Sequence, residues 1–141
     1  MLGTLDHVGY LARDLTAAIA DFSARLGLEV VRRFERPQYS LVGAYMGAGT
    51  GETELFTFTD AELLATRLQG ADVRLDHVAY AVADIDATAR TLQAAGVRFA
   101  GPDLRGELLE PVDLGGVRHL WTVPETSCGQ CLQLLQHESP P

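Results

Sequence analysis

Little in this chain favours polyanions, membranes or a disulfide scaffold. Its 11 Lys+Arg against 19 Asp+Glu give a net charge of −8, with an isoelectric point near 4.8. Non-specific nucleic-acid binding needs a basic surface that displaces counterions, so no nucleic-acid partner is expected. No apolar run reaches the ~18–20 residues that span a bilayer. The opening MLGTLDH also lacks a basic segment followed by an apolar stretch, so a cytoplasmic protein without a membrane partner is expected. Cysteine is scarce. Cys128 and Cys131 form one CGQC, without the second ligand pair that a structural zinc site needs. The CLQLL that follows reads as a strand and not as the helix of a thioredoxin-type motif, so both thiols are read as small buried apolar groups.

What remains is the composition of an ordinary globular domain: 141 residues, 47% hydrophobic and 21% charged. That length can bury a core without covalent or metal staples. Its most distinctive feature is a repeat. LDHVGYLARDL, Leu5 to Leu15, returns 70 residues later as LDHVAYAVADI, Leu75 to Ile85, with Leu, Asp, His, Val, Tyr and a second Asp identical.

The repeat extends beyond those eleven residues. DLTAAIADFSARLG starts on Asp14 as an N-cap, places Leu15, Ala18, Ile19, Phe22 and Leu26 on one helical face, and stops at Gly27. DIDATARTLQAAG starts on Asp84, carries Ile85, Ala89 and Leu92, and stops at Gly96. Strand-like runs follow each helix. The first copy continues through QYSLVGAYMG and, after the turn signal GAGTG, ETELFTF; the second continues through GGVRHLWTV and, after PETSCG, QCLQLLQ. The order βαβββ is therefore expected twice, with a connecting helix around Ala61 to Leu68. Phe99 to Gly116 reads as a loop-rich site mouth or lid. A period near 70 is too long for a solenoid and fits a duplicated half-domain.

Strand alternation selects candidate ligands. Glu52, Glu54, Phe56 and Phe58 share one face of ETELFTF, and Cys131, Gln133 and Leu135 share one face of QCLQLLQ. A carboxylate or amide buried among apolar neighbours is costly unless something pairs with it. A divalent cation held by His7, Glu54, His77 and Gln133 would satisfy all four. One histidine near a strand start is more often a satisfied core residue; two in register, each followed by a strand carrying Glu or Gln, weigh evenly against that reading. In VRHLWTV, His119 and Trp121 share a face that could line a cavity, although a strand histidine is more often ordinary. Tyr10 and Tyr80 repeat with the histidines and read as packing. Arg32, Arg33 and Arg36 in RRFER form the one basic cluster, either a phosphate grip or a solvated strand edge.

DHVGYLARDLTAAIADFSARLGLEVV, TELFTF, DHVAYAVADI and PETSCGQCLQLLQ together resemble the vicinal oxygen chelate superfamily over essentially the whole chain. Within it the resemblance is greatest to methylmalonyl-CoA epimerases, with glyoxalase I next. It implies an α+β fold in which two tandem βαβββ modules form a cupped, partly open barrel around a cavity. The single domain would span 1–141, with module 1 over about 1–59, a linker helix over about 60–70 and module 2 over about 71–138. The resemblance assigns the metal to His7, Glu54, His77 and Gln133, the same residues that alternation selects. Such an N₂O₂ set suits Co²⁺, Zn²⁺, Ni²⁺, Mn²⁺ or Fe²⁺. It also implies a homodimer and metal-assisted proton abstraction next to a carbonyl, on an acyl-CoA or related compound.

One position departs from the epimerase pattern: Gln133 stands where those enzymes carry a carboxylate, and an amide is no general base at neutral pH. Glu54 is then the well-placed base and His119 a further catalytic candidate. RPQYSLVGAY offers Gln38 and Tyr45, with Glu35 upstream, where a second acidic group is expected. Tyr45, Trp121 and the three arginines are the candidate substrate contacts. Two alternatives stand beside the epimerase reading. One is a glyoxalase-type lyase, isomerase or dehydratase on a small carbonyl compound, and the other is a non-catalytic antibiotic-binding protein.

Overall fold

Three aspartates start the three α-helices among the described residues. In the computed structural model, which describes residues 2–47 and 51–138, Asp14 accepts from the Ala17 amide at 3.0 Å and Asp84 from the Ala87 amide at 2.9 Å. Asp60 accepts from both Glu62 and Leu63. The elements run β1 (Thr4–Ala12), α1 (Leu15–Leu26), β2 (Glu29–Arg36), β3 (Leu41–Gly47), β4 (Glu52–Phe58), α2 (Ala61–Leu68), β5 (Val73–Ala81), α3 (Ile85–Ala94), β6 (Phe99–Ala100), β7 (Val112–Leu114), β8 (Val117–Thr122) and β9 (Cys131–Gln136). The mixed α+β class and the repeated strand–helix–strands order are as expected. Residues 48–50, within the expected GAGTG turn, lie outside the described residues. No described helix is long and apolar enough to cross a membrane.

The chain divides into two compact units, His7–Asp76 and Met1–Asp6 with His77–Pro141. In the first, the strand order is β2-β3-β4-β1, with β4 and β1 parallel. One face of this sheet packs α1: Ala12, Ala18, Met46 and Leu55 are buried against Leu15, Ile19 and Phe22. The other face carries Leu11, Leu41, Phe56 and Phe58, closed by Leu63 and Leu68 of α2. Leu26 departs from its expected place on the apolar face of α1, being 63% exposed. Gly27 ends the helix with φ 70, and Leu28, just beyond that left-handed turn, packs into the cluster instead.

In the second unit the order is β5-β9-β8-β6, with β7 also on β8. β5 and β9 are parallel, and β8 runs antiparallel to β9. Val82, Ile85, Ala89, Phe99, Leu120 and Leu134 form its core. The loop-rich stretch after α3 contains only the short β6 and β7, and Leu108 within it packs on that core. Gly3 is a position of close approach, because a Cβ there would run into the Ala81 carbonyl oxygen.

The two aspartates of the LDHV repeat both take charged or ring-nitrogen partners. Asp6 meets His137 Nε2 at 3.1 Å. Asp76 receives Arg67 through Nη2 to both carboxylate oxygens, at 2.7 and 2.9 Å, and through Nε at 3.2 Å. With side chains only 12% and 7% exposed, the Arg67–Asp76 pair is one whose halves cannot be left alone. Arg67→Met is expected to lower unfolding stability by about 3–5 kcal/mol through the uncompensated buried charge. Arg67→Met with Asp76→Leu should recover most of that loss in urea denaturation; a loss below about 1 kcal/mol for the single variant would contradict this account.

Asp86 and Arg118 form a more open pair, Nη1–Oδ2 2.7 Å and Nη2–Oδ1 2.9 Å, tying α3 to β8. The Arg118 hydrogen bonds hold the Asp86 carboxyl below the usual carboxylate range and raise Arg118 in return. A carboxyl lowered on folding contributes stability above its unfolded pKa of about 3.9 and loses it as pH falls through the folded value. Both side chains are more than a third exposed, so Asp86→Asn should cost no more than about 1 kcal/mol at pH 7. The difference from wild type should shrink towards zero on acidification below about pH 3, and a constant difference would assign the effect to something other than this ion pair.

Candidate functional site

Parallel pairing of β1 with β4 places His7 opposite Glu52 and Gly9 opposite Glu54. His7 and Glu54 therefore project from the same face, two residues apart in register. They are 2% and 6% exposed, and Nε2 of His7 lies 3.7 Å from Oε2 of Glu54. That separation is longer than a hydrogen bond. The two groups face one another as neighbouring donors.

Tyr45 of β3 stands opposite Glu54 in the next strand and meets the His7 ring edge-on, centroids 5.3 Å apart. Behind it, Arg32 lies 4.1 Å over the Tyr45 ring and binds Glu52 bidentately at 2.6 and 2.8 Å. The chain Glu52–Arg32–Tyr45–His7 thus buttresses the histidine from β2 and β3. Phe34 lies against Tyr45 at 5.3 Å and covers Gly43, where a Cβ would run into its ring. Alternation splits the arginine cluster. Arg32 and Arg36 fall on one face of β2 and the exposed Arg33 on the other. Arg36 lies 5.8 Å over Phe34 and donates to the Glu35 carbonyl at 2.8 Å. Glu35 and Gln38 are exposed.

The second unit repeats the register: His77 faces Cys131 and Ala79 faces Gln133 across parallel β5 and β9. Gln133 stands to His77 as Glu54 stands to His7. His77 is 5% and Gln133 2% exposed. The start of β9 is fixed by Thr122 Oγ1, which accepts from the Leu132 amide at 2.9 Å and lies 2.8 Å from Ser127 Oγ. The Gln133 amide nitrogen donates to His119 Nδ1 at 2.8 Å. No donor among the described residues reaches Oε1 of Gln133, a carbonyl whose unmet burial costs about 1–3 kcal/mol. His119 stacks on Trp121, centroids 5.4 Å apart and rings 14° from parallel, which agrees with the shared face read from VRHLWTV.

Cys131 is buried, as expected of both thiols, but Cys128 is exposed. It sits at φ 59 in the turn before β9, where the chain reverses over solvent and leaves no apolar surroundings for the thiol. Sequence reading missed two links: Arg32 to Glu52, and His119 to Gln133. Alternation already placed Glu52 on the face of Glu54, but only the β2–β3–β4 register shows which cation meets it.

The sequence model described as Glyoxalase/Bleomycin resistance protein/Dioxygenase superfamily matches residues 6–108. A comparison with curated proteins returns no match. Among solved structures, methylmalonyl-CoA epimerase from Mycobacterium tuberculosis is similar at TM-score 0.82 and 22% identity, over 98% of this chain and 90% of that one. A selenomethionine methylmalonyl-CoA epimerase is similar at TM-score 0.80 and 25% identity, over 99% and 98%. A Streptomyces coelicolor methylmalonyl-CoA epimerase variant in complex with 2-nitronate-propionyl-CoA is similar at TM-score 0.78 and 21% identity, over 99% and 100%. These likenesses show a shared fold, and with the match over residues 6–108 the chain belongs to the glyoxalase/bleomycin resistance protein/dioxygenase superfamily.

Proposed function

We propose that the protein is a divalent-metal-dependent isomerase of the methylmalonyl-CoA epimerase type, acting by proton abstraction next to a carbonyl. The observation that carries this reading is the duplicated register: in each unit a buried histidine on the first strand is followed, two residues on in register, by a buried oxygen donor on the last. His7, Glu54 and His77 each offer a buried ligand atom, and Oε1 of Gln133 is a buried acceptor that the described residues leave unmet. Such donors fit a borderline divalent cation better than an apolar core, so the residues suit the metal. When bound, such a cation stabilises negative charge developing on a substrate carbonyl oxygen.

Every other role falls to side chains. The chain has no lysine, and Gln133 cannot take a proton at neutral pH, so Glu54 is the base. The Gln133 amide nitrogen can only donate, so His119 Nδ1 accepts from it and the ring hydrogen lies on Nε2, where it is a hydrogen-bond donor. Epimerisation needs a proton removed from one face and returned to the other; Glu54 serves as the base for removal, and the His119 Nε2–H would donate a hydrogen bond to charge developing on the substrate oxygen. Tyr45 and Trp121 supply apolar walls. Arg32 is already committed to Glu52 and Arg33 lies on the opposite face of β2 from Tyr45, which leaves Arg36, on the face of Arg32, as the guanidinium of the cluster for an acyl-CoA phosphate. Similar structures are complexes with methylmalonyl-CoA or 2-nitronate-propionyl-CoA, which supports an acyl-CoA substrate. One observation favours the glyoxalase-type reading: Glu54 is the sole carboxylate of the four donors, and a single base suits a same-face proton shuttle.

Titration of metal-stripped protein with Co²⁺ should show one ion per chain, weakened at least about 100-fold in His7→Ala and in His77→Ala. A protein that takes up no metal would contradict both enzyme readings and favour small-molecule sequestration. In D₂O, the metal-loaded protein should exchange the α-hydrogen of methylmalonyl-CoA, and Glu54→Gln should slow that exchange by about 10²–10⁴-fold. Full metal loading without exchange would transfer the assignment to the glyoxalase-type reaction.

A further inference from the structure

We propose that His119 is a positioning residue that fixes the Gln133 side-chain amide with its oxygen, and not its nitrogen, presented as a metal ligand. The inference rests on the metal-site reading above and deepens it.

An amide has two nearly isosteric ends, of which only the oxygen can bind a cation; the NH₂ carries donors alone. A glutamine ligand therefore needs something that fixes which end points where, a need that a carboxylate does not have. Here the NH₂ is engaged by His119 Nδ1 at 2.8 Å, while Oε1 is buried and met by no donor among the described residues. His119 is itself held by its stack on Trp121, the cross-strand partner of Gln133. Were the ring the Nδ1–H tautomer, it would donate to Oε1 and turn the NH₂ outward, a geometry in which Gln133 could not ligate. Tautomer and ligand identity are thus one choice.

The duplicated unit supplies an internal comparison. In β8–β9, Trp121 pairs with Gln133 and His119 with Leu135. In β3–β4, Tyr45 pairs with Glu54 and Gly43 with Phe56. The position of His119 thus corresponds to Gly43, which has no side chain and is covered by the Phe34 ring. The unit whose donor is a carboxylate has no polar neighbour at this position, and the unit whose donor is an amide has one.

The test is a double-mutant cycle read by Co²⁺ affinity in calorimetry, with the tautomer read independently by ¹⁵N NMR of the histidine ring. His119→Phe should weaken Co²⁺ about 10–100-fold. His119→Asn keeps an acceptor near the Nδ1 position and should retain most of the affinity. In a Gln133→Glu background, His119→Phe should cost less than about 3-fold, because either carboxylate oxygen can ligate. Equal losses in both backgrounds, or no loss in the first, would overturn the proposal. The NMR readout separates the two ideas at pH 7.5. An Nδ1–H ring overturns the positioning role whether or not metal binds. An Nε2–H ring bonded to the Gln133 amide, in a protein that takes up no Co²⁺, would leave the orientation standing and refute the metal site it is proposed to serve.

Discussion

Parallel pairing between the first and last strands of each unit is the constraint from which the site follows. It offsets the histidine from the oxygen-bearing residue by two positions, so both side chains rise from one face, and the residue paired with the oxygen donor is Gly9 in one unit and Ala79 in the other. Parallel neighbours cannot be joined by a tight turn, and the helix and strands between them in sequence, β2 and β3 in one unit and β6 to β8 in the other, are the connection that such a pairing requires. The βαβββ order is in that sense a consequence of putting these two strands side by side. The capping aspartates and the glycine stops make the crossover helices short enough to fit.

The faces created by this pairing do opposite things in one unit. Towards α1, Ala18, Met46 and Leu55 make an ordinary apolar interface. On the other face an aromatic and aliphatic cluster closed by α2 gives way to His7, Glu54 and Tyr45. Polar groups buried beside such a cluster oppose folding unless they are paired or ligated. The surrounding contacts are accordingly specific: Tyr45 edge-on to His7, Arg32 over Tyr45, and Glu52 binding Arg32. In the second unit the same position is managed through an amide, and His119 and Trp121 do the holding.

Much of this was legible in the sequence because periodicity and capping are local. Asp14 and Asp84 with their apolar spacings mark two helices, and α2 spans Ala61–Leu68 as read. Alternation put Glu54 with Phe56 and His119 with Trp121 correctly. The failures share a cause, which is that pairing partners lie far apart in sequence. RRFER reads as one basic patch until the strand twists alternate residues to opposite faces and Glu52 claims Arg32. Leu26 satisfies the helical period but falls where the helix has run past its sheet. Cys128 resembles its neighbour Cys131 in composition only, since a left-handed turn carries it into solvent. The Gln133–His119 bond joins residues 14 apart on antiparallel strands, and no single-strand pattern contains it.

The proposed function requires that the duplicated strands supply two imidazoles and two side-chain oxygens to one cation. X-ray absorption at the metal edge of the Co²⁺- or Zn²⁺-loaded protein tests it most directly. The account predicts a shell of light N/O scatterers with the multiple-scattering signature of two imidazole rings and no sulfur. A sulfur scatterer from Cys131, or a single imidazole, would contradict it.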